Sequence, residues 1–135
     1  RESVLDIRSG LSLLDPSARD RWAGLIDEAE VGPPARLAPN GHVVPAFQAA
    51  WSAIVHTPVP EGDPAGHLPA ALVTAIGIGD DTDTVAAIAG GLLGARWGAS
   101  AVPADWRALC HGYPGITGEE LVDLALEIVG PRIGV

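Results

Sequence analysis

The chain has 135 residues, 47% of them hydrophobic, and a formal net charge of −9 in which all eight basic residues are Arg. That balance excludes the basic footprint of a nucleic-acid groove and the polybasic patch of a membrane-surface protein, and the apolar content excludes a disordered chain. With aromatic residues at 4%, the core has to come from Ala, Leu, Ile and Val, which suits close helix-on-helix packing.

One cysteine, Cys110, forms no internal disulfide, so a cytoplasmic setting is expected. The most apolar stretch, 68–79, falls short of the about 20 residues that a membrane span needs. The chain opens on Arg1-Glu2-Ser3 without Met, and helical periodicity begins at once with Val4 and Leu5. The reading is a fragment entered mid-helix.

The spacing predicts a helix over 3–14 on Val4, Leu5, Leu11 and Leu14. Asp15-Pro16 then restarts the chain, with Asp15 as N-cap and Pro16 in the first turn of a helix running to about Glu30. After a Gly/Pro loop over 31–41, a helix is expected from His42 to His56, with Phe47, Ala50, Trp51 and Ile54 on one face. Another follows from Leu68 to Ile78. A tight acidic turn at Gly79–Thr82 opens a helix over about 83–98, where Gly90, Gly94 and Gly98 form a smooth face for close backbone approach. Trp106 to Cys110 reads as a short helix. The last helix opens at Thr117, whose pairing with Glu120 has the capping-box pattern, and carries Leu121, Leu124, Ile128 and Val129 on its apolar side. Strand alternation is absent; Val43-Val44 and Ala71–Ile78 are the only places for a strand. The four tryptophans are expected in the core. The architecture is all-α, a multi-helix fold of many short helices.

Asp80-Asp81-Thr82-Asp83-Thr84 sets three carboxylates in four positions between two apolar stretches. Like charges this close repel, and Arg96, the nearest base in sequence, lies about three turns away. A helix N-terminus rich in Asp accounts for one or two of the three through capping and the helix dipole. A divalent cation accounts for all of them, since carboxylates and a Thr hydroxyl are hard oxygen ligands for Mg²⁺, Mn²⁺ or Ca²⁺. His42, His56 and His67 share no ligand spacing. Cys110 and His111 are sequence neighbours and do not form a catalytic pair.

The stretch from Gly79 to Gly98, GDDTDTVAAIAGGLLGARWG, resembles the C-terminal signature of the ADP-ribosylglycohydrolases, which include the enzymes that remove ADP-ribose from dinitrogenase reductase. Asn40-Gly41-His42-Val43-Val44 with Ala49-Ala50-Trp51 resembles their upstream helix, and 106–115 their downstream stretch. The resemblance covers roughly residues 38–130 and implies an all-α fold with a binuclear Mg²⁺ or Mn²⁺ centre. It implies Asp81, Asp83 and Thr84 as metal ligands, and ADP-ribose or an ADP-ribosylated protein or small molecule as partner. Asp80 stands where many members have a second Gly, which leaves it for ribose or solvent. His111, Tyr113 and Gly115 are candidate substrate contacts, with Tyr113 able to stack on a base. Family members are about twice as long; their N-terminal half brings a Ser/Thr-Asp-Asp ligand set and an acidic catalytic residue. Residues 1–37 carry no such cluster, so no catalytic residue is assigned here. The expectation is the C-terminal portion of one domain, with the missing N-terminal half as partner. The alternatives are an inactive fragment or non-enzymatic relative, and a haloacid dehalogenase-type phosphatase suggested by Asp81-x-Asp83-x-Val85, which needs a strand before the motif.

Overall fold

Asp15 is extended, and its carboxylate accepts from the backbone N–H groups of Ser17 and Ala18 at 3.0 and 3.1 Å. With Pro16 in the first turn, this starts α1 (Pro16–Glu30). The computed structural model describes residues 5–130, and α1 is the first of six α-helices among the described residues. The others are α2 (Val43–His56), α3 (His67–Gly77), α4 (Thr82–Trp97), α5 (Ala104–Leu109) and α6 (Gly118–Val129). The expected all-α class holds, and the N-cap at Asp15 and the capping box between Thr117 and Glu120 are both formed.

Several expectations change. The helix expected over 3–14 is a 3₁₀ segment at Arg8–Leu13; Val4 lies outside the described residues. Leu11 packs there against the core, whereas Leu13 is 88% exposed. The strands fall at neither suspected place: His111–Gly112 (β1) pairs antiparallel with Ile116–Thr117 (β2), a hairpin too short for alternation to be visible.

The core centres on α2. Ala46, Ala49, Ala50, Trp51, Ala53 and Ile54 are all buried. Small residues let α1, α3 and α4 approach α2 from several sides, and the core continues through Ile26, Ala71, Ala75, Val85, Ala89 and Leu93. Polar ties set the angles. Trp51 donates from Nε1 to Glu30 Oε1 at 2.9 Å, while Arg8 pairs with Glu30 and Asp27, both at 2.8 Å. Gln48 donates to Leu25 O at 2.9 Å and Glu28 Oε2 at 3.1 Å. Buried His67 donates from Nε2 to Ile54 O and Thr57 O, both at 3.1 Å, and so satisfies carbonyls at the C-terminal end of α2.

Of the four tryptophans expected in the core, only Trp51 is fully buried. Trp22 stacks edge-on against Phe47, Trp97 lies against His67, and Trp106 is 38% exposed. Leu121, Leu124, Ile128 and Val129 of α6 are exposed as well, because α6 packs on α5 and β2 rather than on the α1–α4 core. The expected glycine face is kept in part. Gly90 points at Leu72, Gly94 meets open space, and Gly98 closes α4 at φ +80° outside the helix.

Replacing Trp51 with Ala removes the largest buried side chain and is expected to lower stability by about 3–5 kcal/mol in urea unfolding followed by circular dichroism. Asp15 and Glu120 are held below the usual carboxylate range, Asp15 first by the Ala18 N–H and Glu120 first by the Thr117 N–H. Their stabilisation is complete above the ordinary carboxylate pKa and is lost as pH falls through the depressed folded-state values. Melting temperature should therefore drop on acidification below about pH 4, and the drop should be smaller in Asp15→Ala.

Candidate metal centre

The acidic turn sits between the C-terminus of α3 and the first residues of α4. Gly79 at φ +86° and Asp80 at φ +64° reverse the chain through the left-handed region. Gly adopts this region freely; Asp and Asn do so when their short polar side chains find partners nearby. The turn is closed by Gly79 N–H to Ile76 O at 3.1 Å and Thr82 N–H to Asp80 O at 3.0 Å, and Val85 N–H then begins the α4 ladder on Asp81 O at 3.2 Å.

The three aspartates divide. Asp80 turns one carboxylate oxygen inward, where Oδ2 accepts from the backbone N–H of Asn40 at 2.7 Å. Asp81 and Asp83 lie two positions apart at the start of α4, Asp81 as its N-cap residue and Asp83 in its first turn. Asp81 is half-buried, with Oδ2 beside Gly41, whereas Asp83 and Thr84 are exposed. Asp83 is held below the usual carboxylate range, first by the Asp81 carboxyl and then by the Thr84 backbone N–H, whose nitrogen lies 2.9 Å from Asp83 Oδ1. Asp81, Asp83 and Thr84 thus place hard oxygen donors close together at one helix start, a donor chemistry that fits Mg²⁺ or Mn²⁺. Among the described residues no group of three His, Cys, Asp or Glu side chains converges as a metal site.

His111, Tyr113 and Gly115 fall on the β1–β2 hairpin, with Tyr113 at 96% exposure in the turn. His111 Nδ1 donates to Leu109 O at 2.9 Å. Among the described residues no hydrogen bond or ion pair ties the hairpin to the acidic turn. Cys110 is a free, exposed thiol. The phosphatase alternative loses its support, because the segment before Asp81 is α3 and not a strand. No helix among the described residues is long and apolar enough to cross a membrane.

Asn40 is the residue whose part the sequence did not disclose. Fully buried, it lies two positions before the helical N-cap His42 and reaches the turn with three polar atoms. Besides its backbone N–H on Asp80, its Nδ2 donates to Gly79 O at 3.2 Å and its Oδ1 accepts the Asp81 N–H at 2.9 Å.

The sequence model of the ADP-ribosylglycohydrolase family matches residues 3–133. The chain belongs to the ADP-ribosylglycohydrolase family. It is similar to ADP-ribosylhydrolase ARH3 of Homo sapiens, 35% identical over 120 residues that are 83% of this chain and 33% of that protein. The Bos taurus protein of the same name is 33% identical over the same shares, and that of Mus musculus 30% over 83% of this chain and 32% of its own. The chain thus spans about a third of the length of these relatives. No solved structure matches it.

If the Asp81 carboxyl is what depresses Asp83, removing it should release Asp83. A carbon-detected NMR titration is expected to place Asp83 below the usual value of about 3.9 in the wild type and nearer to it in Asp81→Ala. An unchanged midpoint would show that the two carboxyls do not communicate.

Proposed function

We propose that this chain supplies half of a binuclear Mg²⁺ or Mn²⁺ centre in a hydrolase that cleaves the N- or O-glycosidic bond of ADP-ribosylated substrates. The observation that carries this reading is the placing of Asp81, Asp83 and Thr84 together at the start of α4, in a chain matched by the ADP-ribosylglycohydrolase family over nearly its whole length. Relatives that bear the name ADP-ribosylhydrolase support the choice of substrate class.

Asp81, Asp83 and Thr84 are the residues that would hold the metal. A bound divalent cation lowers the pKa of a coordinated water and orients a ribose diol by its oxygens. The remaining ligands and the acid–base group belong to polypeptide beyond this chain, so no residue here is given a catalytic role. Asp80 keeps one carboxylate oxygen free of the turn, and with His111, Tyr113 and Gly115 it is assigned to substrate. An exposed tyrosine ring on a short hairpin suits stacking on a purine. The N-terminal half that the family's domain has would complete the site as partner, and the single free thiol fits a cytoplasmic setting.

Calorimetric titration of the chain with Mn²⁺ is expected to show binding at or below millimolar concentration that Asp83→Ala abolishes. The chain alone is expected to release no ADP-ribose from an ADP-ribosylated peptide. Absence of any Mn²⁺ uptake at millimolar concentration would refute the half-site.

A further inference from the structure

We infer that Asn40 is the positioning residue of the Asp81–Asp83 carboxylate pair, fixing the Gly79–Asp81 turn in the one shape from which both carboxylates can take a divalent cation. This rests on the half-site reading above and adds to it a residue 41 positions upstream of Asp81.

The geometry is specific to an asparagine. The side chain must donate toward Gly79 O and accept from Asp81 N–H, and a primary amide offers both on one planar group. Asn40 does not cap its own helix: His42 is the N-cap of α2 and makes no side-chain capping bond. All of Asn40's side-chain bonds go to the turn, where they span the two residues in the left-handed region. Its backbone N–H adds a third bond, which draws the Asp80 carboxylate inward. The consequence is electrostatic as well as steric. Three carboxylates on four consecutive positions repel, and an unrestrained turn would splay them. With Asp80 tied to the Asn40 backbone and the Asp81 amide tied to the Asn40 side chain, the backbone that carries Asp81 into α4 is fixed. The clamp adds no charge of its own, so the attraction for a cation is undiminished. Side chains that orient ligands without touching the metal commonly set its affinity in this way.

The test compares the wild-type chain with Asn40→Ala, with Asn40→Asp, and with Ser52→Ala. Ser52 is equally buried but bonds to His56 rather than to the turn. Mn²⁺ affinity is measured by calorimetry, and the Asp81 amide is followed by its NMR shift and hydrogen exchange. Asn40→Ala is expected to bind Mn²⁺ about 10- to 100-fold more weakly and to lose protection at the Asp81 amide, while Ser52→Ala keeps wild-type affinity whatever its melting temperature. Should Asn40→Ala fail to fold, Asn40→Asp decides. It keeps the shape and the acceptor for Asp81 N–H but sets an oxygen against Gly79 O, and at pH 7 weaker Mn²⁺ binding is again expected. Wild-type affinity in either Asn40 variant overturns the inference alone, as does an equal loss in Ser52→Ala. A wild-type chain that takes up no Mn²⁺ overturns the half-site reading and the inference together.

Discussion

Everything in this fold leans on α2, the one helix that is enclosed by the other long helices. A helix packed on several sides has no room for a large side chain at most positions, which is why alanine recurs at 46, 49, 50 and 53. The exceptions are placed where volume is available: Trp51 toward the end of α1, where Glu30 receives its indole N–H, and Ile54 near the His67 staple. Because α2 is fixed on α1, α3 and α4 at once, the residues leading into it are fixed as well. Asn40 and Gly41 belong to that lead-in. The rigidity of the core is thereby passed to the tip of the α3–α4 hairpin, some 40 residues later in the chain.

The charge distribution follows the same division. Arg8 is spent on Asp27 and Glu30 at the far end of α1, Arg36 on the Glu28 carbonyl, and Arg96 lies over the Trp97 ring at the opposite end of α4 from the acidic turn. No arginine is paired with Asp80, Asp81 or Asp83 among the described residues. The turn is restrained by neutral N–H groups instead, which leaves its negative charge uncompensated.

What could be read from the sequence was whatever depends on short range. The starts of α1 and α6 are legible because Asp15-Pro16 and Thr117-x-x-Glu120 each solve the problem of free helix N–H groups within three residues. The acidic turn is legible because its three carboxylates are adjacent. The β1–β2 hairpin was not, since two residues per strand carry no period. The exposure of Trp106 and of the α6 leucines was not, since an apolar stripe states that a face wants a partner without stating whether this chain supplies one. Gly98 fell outside the expected helix because spacing assumes continuity, and α4 ends at Trp97. Asn40 was visible only as part of a flanking likeness. The faint signal was an asparagine placed before a helix but out of capping position, with its bonds made to a turn far along the chain.

The turn also explains why Asp at position 80 is compatible with a place that glycine suits. At φ +64° a side chain is tolerated when it is short and finds a local partner, and Asp80 finds the Asn40 N–H at 2.7 Å. A glycine there would adopt the same backbone without strain but would leave that buried-side N–H to water or to another acceptor. Asp80 therefore exchanges conformational ease for an extra bond between the turn and the lead-in to α2. Its charge sits beside Asp81, which raises the local repulsion, yet its carboxylate is directed at Asn40. Three carboxylates adjacent in sequence thus divide in space: Asp80 is tied to the lead-in to α2, and Asp81 and Asp83 stand at the start of α4.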